Sequence, residues 1–76
     1  MIYEVHWLGI KDGKRVDETH GQFASYEEAM NSIQTWWSKN NFTPPYIISR
    51  KHNNITILDY GFHTCFYNIV EIEDND

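Results

Sequence analysis

Ser25-Tyr26-Glu27-Glu28-Ala29-Met30-Asn31-Ser32-Ile33-Gln34-Thr35-Trp36-Trp37-Ser38-Lys39 is the stretch that decides the fold of this chain. Ser25 and Glu28 stand at the spacing of a capping box, in which a hydroxyl and a carboxylate satisfy free backbone donors at a helix start. Glu27 and Glu28 suit the positive end of the helix dipole, and Lys39 suits the negative end. Tyr26, Ala29, Met30, Ile33 and Trp37 recur at i, i+3, i+4, i+7 and i+11, which is one face of a helix. Asn40-Asn41 supplies a left-handed cap, and Pro44-Pro45 bars continuation. The spacing predicts one helix over about Tyr26–Lys39, with Met30, Ile33 and Trp37 turned to the core.

Outward from that helix the chain reads as strands. Ahead of it, Lys11-Asp12-Gly13 fits a three-residue hairpin loop with Gly at the left-handed position. That loop sets Ile10 opposite Lys14, Leu8 opposite Val16, His6 opposite Glu18 and Glu4 opposite His20, the last two being complementary pairs. Tyr3, Val5, Trp7 and Phe23 then face the helix, while Leu8, Ile10 and Val16 face away. After the helix, strands are expected over about 46–51, 55–59 and 62–72, with His52-Asn53-Asn54 as the first turn. Asp59-Tyr60-Gly61 closes the next hairpin and sets Leu58 opposite Phe62, Thr56 opposite Thr64 and Ile55 opposite Cys65. Residues 66–72 outrun that partner and carry apolar side chains on both faces, which suits a central strand that also pairs with the first hairpin. The predicted fold class is α+β, a two-layer ββαβββ arrangement with a five-stranded antiparallel sheet and one helix packed on one face.

Seventy-six residues, 41% of them hydrophobic, make one small domain near the lower size limit for an unstapled core. Cys65 is the sole cysteine, which excludes an intrachain disulfide and points to a reducing compartment. Met1-Ile2-Tyr3-Glu4 has no signal-peptide character, and no apolar run approaches the roughly 20 residues of a membrane span, so a cytoplasmic location without membrane contact is expected. The net charge is −5, yet Glu71, Glu73, Asp74 and Asp76 hold four of the eleven acidic groups. Residues 1–72 are expected to form the domain, and 73–76 a frayed acidic tail.

Candidate chemistry is thin. His6 and His20 share a face of the hairpin in this register, beside Glu4 and Glu18, but the pattern reads as an alternating polar strand face, and no metal or cofactor is expected. His63 and Cys65 share a strand face at a separation too long for a thiol–imidazole hydrogen bond. Cys65 is expected to be a small buried residue, with no catalytic residues and no enzyme. Lys11, Lys14 and Arg15 at one hairpin tip, with Arg50 and Lys51 at another, are candidate nucleic-acid contacts. The helix carries the chain back along the sheet, so the two tips are expected at opposite ends rather than in one patch.

Three Trp, five Tyr and four Phe remain to be housed in a domain whose single helix covers one sheet face. Surplus apolar surface on a small protein marks a partner site. Leu8, Ile10 and Val16 on the uncovered face, together with Trp36 one helical step from Trp37, are the candidate interaction residues. In size and plan the chain looks like many small phage and mobile-element proteins that inhibit a host factor by surface contact. The expected function is a non-catalytic protein-interaction module whose partner is another protein or a second copy. The alternative is a nucleic-acid-binding protein using the basic tips and an aromatic sheet face.

Overall fold

The caps place the helix where their side chains imply. In the computed structural model of the chain, which describes residues 1–73, α1 runs Tyr26–Lys39. Ser25 Oγ accepts the Glu28 N–H at 3.1 Å, and Glu28 Oε2 accepts the Ala24 N–H at 3.1 Å, one residue beyond the donor of a standard box. At the far end Asn41 takes φ +53°, which turns the chain back on itself. The Phe42 N–H then bonds the Trp37 carbonyl at 2.9 Å and the Asn41 N–H bonds the Ser38 carbonyl at 3.2 Å. This is a Schellman closure, and it brings the Phe42 ring edge-on to Trp37 with centroids 6.2 Å apart. Ala29, Ile33 and Trp37 are buried, Met30 is partly buried and Tyr26 is exposed, so the apolar stripe is narrower at its start than the spacing predicts. Among the described residues no helix is long and apolar enough to cross a membrane.

Five strands complete the expected ββαβββ order: β1 Ile2–Lys11, β2 Lys14–Phe23, β3 Ile48–His52, β4 Ile55–Asp59 and β5 Phe66–Ile72. They form one antiparallel sheet in the order β2-β1-β5-β4-β3, with β5 at its centre, paired to the first hairpin as expected. Val5, Leu58, Tyr67 and Ile69 from the sheet meet Ala29, Ile33 and Trp37 of α1, and Tyr60 completes the core. Tyr67 and Ile69 therefore face the helix, which puts Phe66, Asn68, Val70 and Ile72 on the other side. Of the expected acidic tail, residues 74–76 lie outside the described residues.

Both predicted hairpin registers are corrected. The first turn has two residues, Asp12 and Gly13, at φ +53° and +76°, and Lys11 pairs with Lys14. A turn with two positive φ values matches the twist of the flanking strands, and Asp tolerates the left-handed region that the three-residue reading reserved for Gly. The ladder slips by one, so Leu8 faces Asp17, Trp7 faces Glu18, and Val16 faces Gly9 on the helix side instead of the open side. A bulge follows, because Val5 pairs with Gly21 while His6 pairs with Thr19, leaving His20 as the extra residue. Gly21 takes φ +144° there. The bulge sets Tyr3 opposite Phe23 and returns Phe23 to the helix side, so the face expected for Tyr3, Val5, Trp7 and Phe23 holds.

The second correction is larger. Asp59 Oδ1 does accept the Gly61 N–H at 3.1 Å, but the chain does not double back there. Asp59 pairs with Phe66, Leu58 with Tyr67 and Ile55 with Val70, and residues 60–65 form a loop. A tight turn would hold Tyr60 in water, whereas the loop rolls it into the core at 6% exposure. Cys65 consequently lies in this loop, partly buried against the core, and not in the central strand.

Candidate interaction surfaces

The sheet face away from α1 carries two of the four predicted interaction residues. Leu8 and Ile10 lie on it, whereas Val16 and Trp36 belong to the helix side. Across the strands Leu8 sits level with Phe66, Asp59 and Ile48, and His6 with Asn68, Ile57 and Arg50. Leu8, Ile48, Ile57 and Phe66 line a shallow groove with Arg50, Asp59 and Asn68. Ile10, Ile48 and Ile57 are exposed, so this face is an apolar centre open to solvent.

A polar chain flanks that centre on β1 and β2. Gln22 Nε2 donates to Glu4 Oε2 at 2.6 Å, the His6 ring contacts Glu4 Oε1, and His6 Nδ1 lies 2.8 Å from Asp17 Oδ1. With a carboxylate against each ring nitrogen, only the imidazolium form donates to both. Burial by itself lowers the His6 pKa, but the hydrogen bonds and charges of Asp17 and Glu4 outweigh it and hold the ring above its ordinary 6.5. The Gln22 hydrogen bond, then the His6 one, holds Glu4 below its ordinary 4.5. Because the folded His6 value is raised, its stabilisation is complete below pH 6.5 and fades as pH rises through the folded value. Because the Glu4 value is depressed, its contribution is present above 4.5 and is lost as pH falls through the folded value. An NMR titration should give a His6 midpoint above 6.5, and Asp17→Asn should bring it down. A midpoint below 6.5 in the intact chain would show that burial dominates.

The second surface was not anticipated from sequence. Helix α1 lies nearest β1 and β2, and Trp37 from its last turn together with Phe42 and Tyr60 from the loops covers Tyr67 of β5. Where the helix ends near the first hairpin tip, a pocket of about 410 Å³ remains open. Trp7 and Lys11 of β1, Glu18 and His20 of β2, and Trp36, Trp37 and Asn40 of the helix end line it, with Phe42, Tyr60, Phe62 and Tyr67. The Schellman turn delivers Phe42, the His20 bulge delivers an imidazole 6.1 Å from the Trp36 ring, and the 60–65 loop delivers Tyr60 and Phe62. Trp37 and Tyr67 are buried in its wall, while Trp36 at 53% and Phe62 at 46% stand exposed at its mouth.

Trp7 Nε1 donates to the Tyr60 hydroxyl at 2.9 Å. Burial raises the Tyr60 pKa against the opposing pull of that hydrogen bond, and burial with the neighbouring Tyr60 pushes Tyr67 up to about 12. Both phenols stay neutral donors at physiological pH. Trp37 Nε1 is buried and approaches the Tyr67 hydroxyl without reaching hydrogen-bond geometry. The charged groups at the mouth are satisfied among themselves: Lys11 pairs with Glu18 and lies 5.7 Å above the Trp7 ring, and His20 Nε2 is 3.4 Å from Glu18 Oε1.

The remaining candidates are dispersed. Glu4 and Ile55 both pair with Val70, so the β3–β4 turn lies at the Ile2 end of the sheet, opposite the tip holding Lys11, Lys14 and Arg15. Lys51 Nζ is tied to Glu71 Oε1 at 3.1 Å, and among the described residues Lys14, Arg15 and Arg50 have no ion-pair partner. His6 and His20, placed on one face by the sequence reading, lie on opposite faces because the one-residue slip carries His20 to the helix side with Val16 and Glu18. No group of His, Cys, Asp and Glu able to hold a metal ion occurs among the described residues. His63 is exposed, and Cys65 Sγ has Thr64 Oγ1 at 3.8 Å. No protein family, curated protein or solved structure matches the chain.

Proposed function

We propose that the chain is a non-catalytic protein-interaction module that associates with a second copy of itself through the sheet face opposite the helix. The observation that carries this reading is the apolar patch of Leu8, Phe66, Ile57 and Ile48 left open on that face, with Asp59, Asn68 and Arg50 set among and beside it. An apolar centre with a polar rim has the anatomy of an interface. Strand order supports a second copy as the occupant. A two-fold axis lying along β5 sets β1 of one sheet over β4 of the other and β2 over β3. Asp17 at the β2 edge of one copy then lies over β3 of its partner, the strand that carries Arg50, so opposite charges meet along each edge.

The test is mass in solution. The intact chain should sediment as a dimer at micromolar concentration, with a dissociation constant that changes little with salt. Leu8→Asp and Ile10→Asp should give monomers whose melting temperature is close to that of the isolated parent fold. Arg50→Glu should weaken association, and adding Asp17→Arg should restore it. A chain that remains monomeric at millimolar concentration would sink the proposal.

The unpaired Lys14, Arg15 and Arg50 favour one second reading, contact with nucleic acid. Binding to an oligonucleotide that weakens steeply with added salt and requires those three residues would decide for it.

A further inference from the structure

We infer that the aromatic pocket at the end of α1 takes a proline-rich segment of another protein in the extended polyproline conformation. This rests on a different face from the proposed association and stands or falls separately.

The shape of the pocket comes first. Four of its ring pairs meet steeply, Trp37 and Phe42 at 63°, Trp37 and Tyr67 at 75°, Phe42 and Tyr60 at 89°, and His20 and Tyr67 at 72°, while Trp37 and Tyr60 at 35° and Phe42 and Phe62 at 31° lie closer to parallel. Steeply crossed rings make corners in which a face meets an edge. A puckered pyrrolidine fills such a corner on two sides, whereas a nucleobase or a sugar ring needs one broad open face. At about 410 Å³ the space falls in the range of specific pockets, roughly 300–1,000 Å³, and admits a few residues of chain.

Charge and hydrogen bonding narrow the occupant. Lys11, Glu18 and His20 are paired to one another, so the mouth offers no free cation to a phosphate. Its wall holds one unmet donor, the Trp37 indole N–H, buried without an acceptor in a side chain only 5% exposed. A polyproline helix makes no internal hydrogen bonds and presents bare carbonyls to such a donor, and aromatic-lined grooves exploit its low ordering entropy.

The chain already packs a proline against the loop that supplies two of these rings. A Cβ added to Gly61, between Tyr60 and Phe62, would lie 2.6 Å from Pro45 Cγ, so the Pro45 ring rests directly on the Gly61 backbone.

The experiment is a titration of the full chain with an octaproline peptide, followed by the indole N–H resonances and by tryptophan fluorescence. Saturable binding is expected, with the Trp36 and Trp37 indole signals moving most and a glycine-serine peptide of equal length inert. Trp36→Ala and Phe62→Ala remove exposed rings and should leave the melting transition intact while weakening binding about tenfold or more. Leu8→Asp, on the opposite face, should leave the titration unchanged even if it abolishes self-association. Octaproline that fails to saturate at millimolar concentration would overturn the inference. So would affinity that survives both ring deletions, or tighter binding of oligothymidylate or of a neutral oligosaccharide.

Discussion

Trp37→Ala is expected to cost about 3–5 kcal/mol, as large-to-small core substitutions do, and to leave most of the chain unfolded at room temperature. Trp37 is 5% exposed and lies within 6.2 Å, centroid to centroid, of Phe42, Tyr60 and Tyr67. It is the one side chain that joins helix, cap, loop and central strand. Its removal leaves a void that the Schellman turn prevents Phe42 from filling, because Phe42 is held by its N–H bond to the Trp37 carbonyl. Urea denaturation followed by circular dichroism measures the loss, and Trp37→Phe should recover part of it. A cost under about 1 kcal/mol would mean that the surrounding rings collapse into the gap.

Gly9→Ala should be destabilising by about 1–3 kcal/mol, the penalty of forcing atoms into occupied core space. Elsewhere in a strand the same change is neutral or favourable, since a methyl group restricts the unfolded chain. Here a Cβ would fall inside van der Waals contact of the Trp7 indole, which folds back along its own strand over the glycine. The ring would have to swing away, breaking the Trp7–Tyr60 hydrogen bond and detaching one side of the pocket. Red-shifted tryptophan emission together with a lower melting temperature is the expected signature. A variant as stable as the parent would show that Trp7 has another rotamer of equal energy.

These two residues mark the border of what the sequence makes legible. The helix could be read to its last residue because its signals are local: a Ser, a Glu and an Asn act within one turn of themselves. Element order and the core face of β1 followed from alternation. Register did not, because it depends on whether Asp12 accepts a positive φ, and Asp does so often enough that composition leaves it open. Once that turn tightened, Val16 changed face, and the bulge at His20 then undid the slip for Gly21, Gln22 and Phe23. Tyr60 was read as a turn residue because Asp59 and Gly61 flank it, yet its burial outweighed the turn chemistry and displaced the pairing of β4 with β5. The pocket was invisible for a different reason. It arises where a helix of 14 residues stops short of the hairpin tip, and no residue pattern encodes the space that a helix leaves.

The central position of β5 sets a rule for when this chain can fold. The strand that holds the sheet together follows every other element in the sequence, and its first partner, β1, precedes them all. Without Phe66–Ile72 the sheet divides into two separate hairpins, and the core loses Tyr67 and Ile69. Bringing Ile2 beside Ile72 closes nearly the whole chain in one step, so the entropy of that closure falls due before the core repays it. Docking of β5 is therefore the step that completes the sheet, and without it β1 and β4 each keep an unpaired edge.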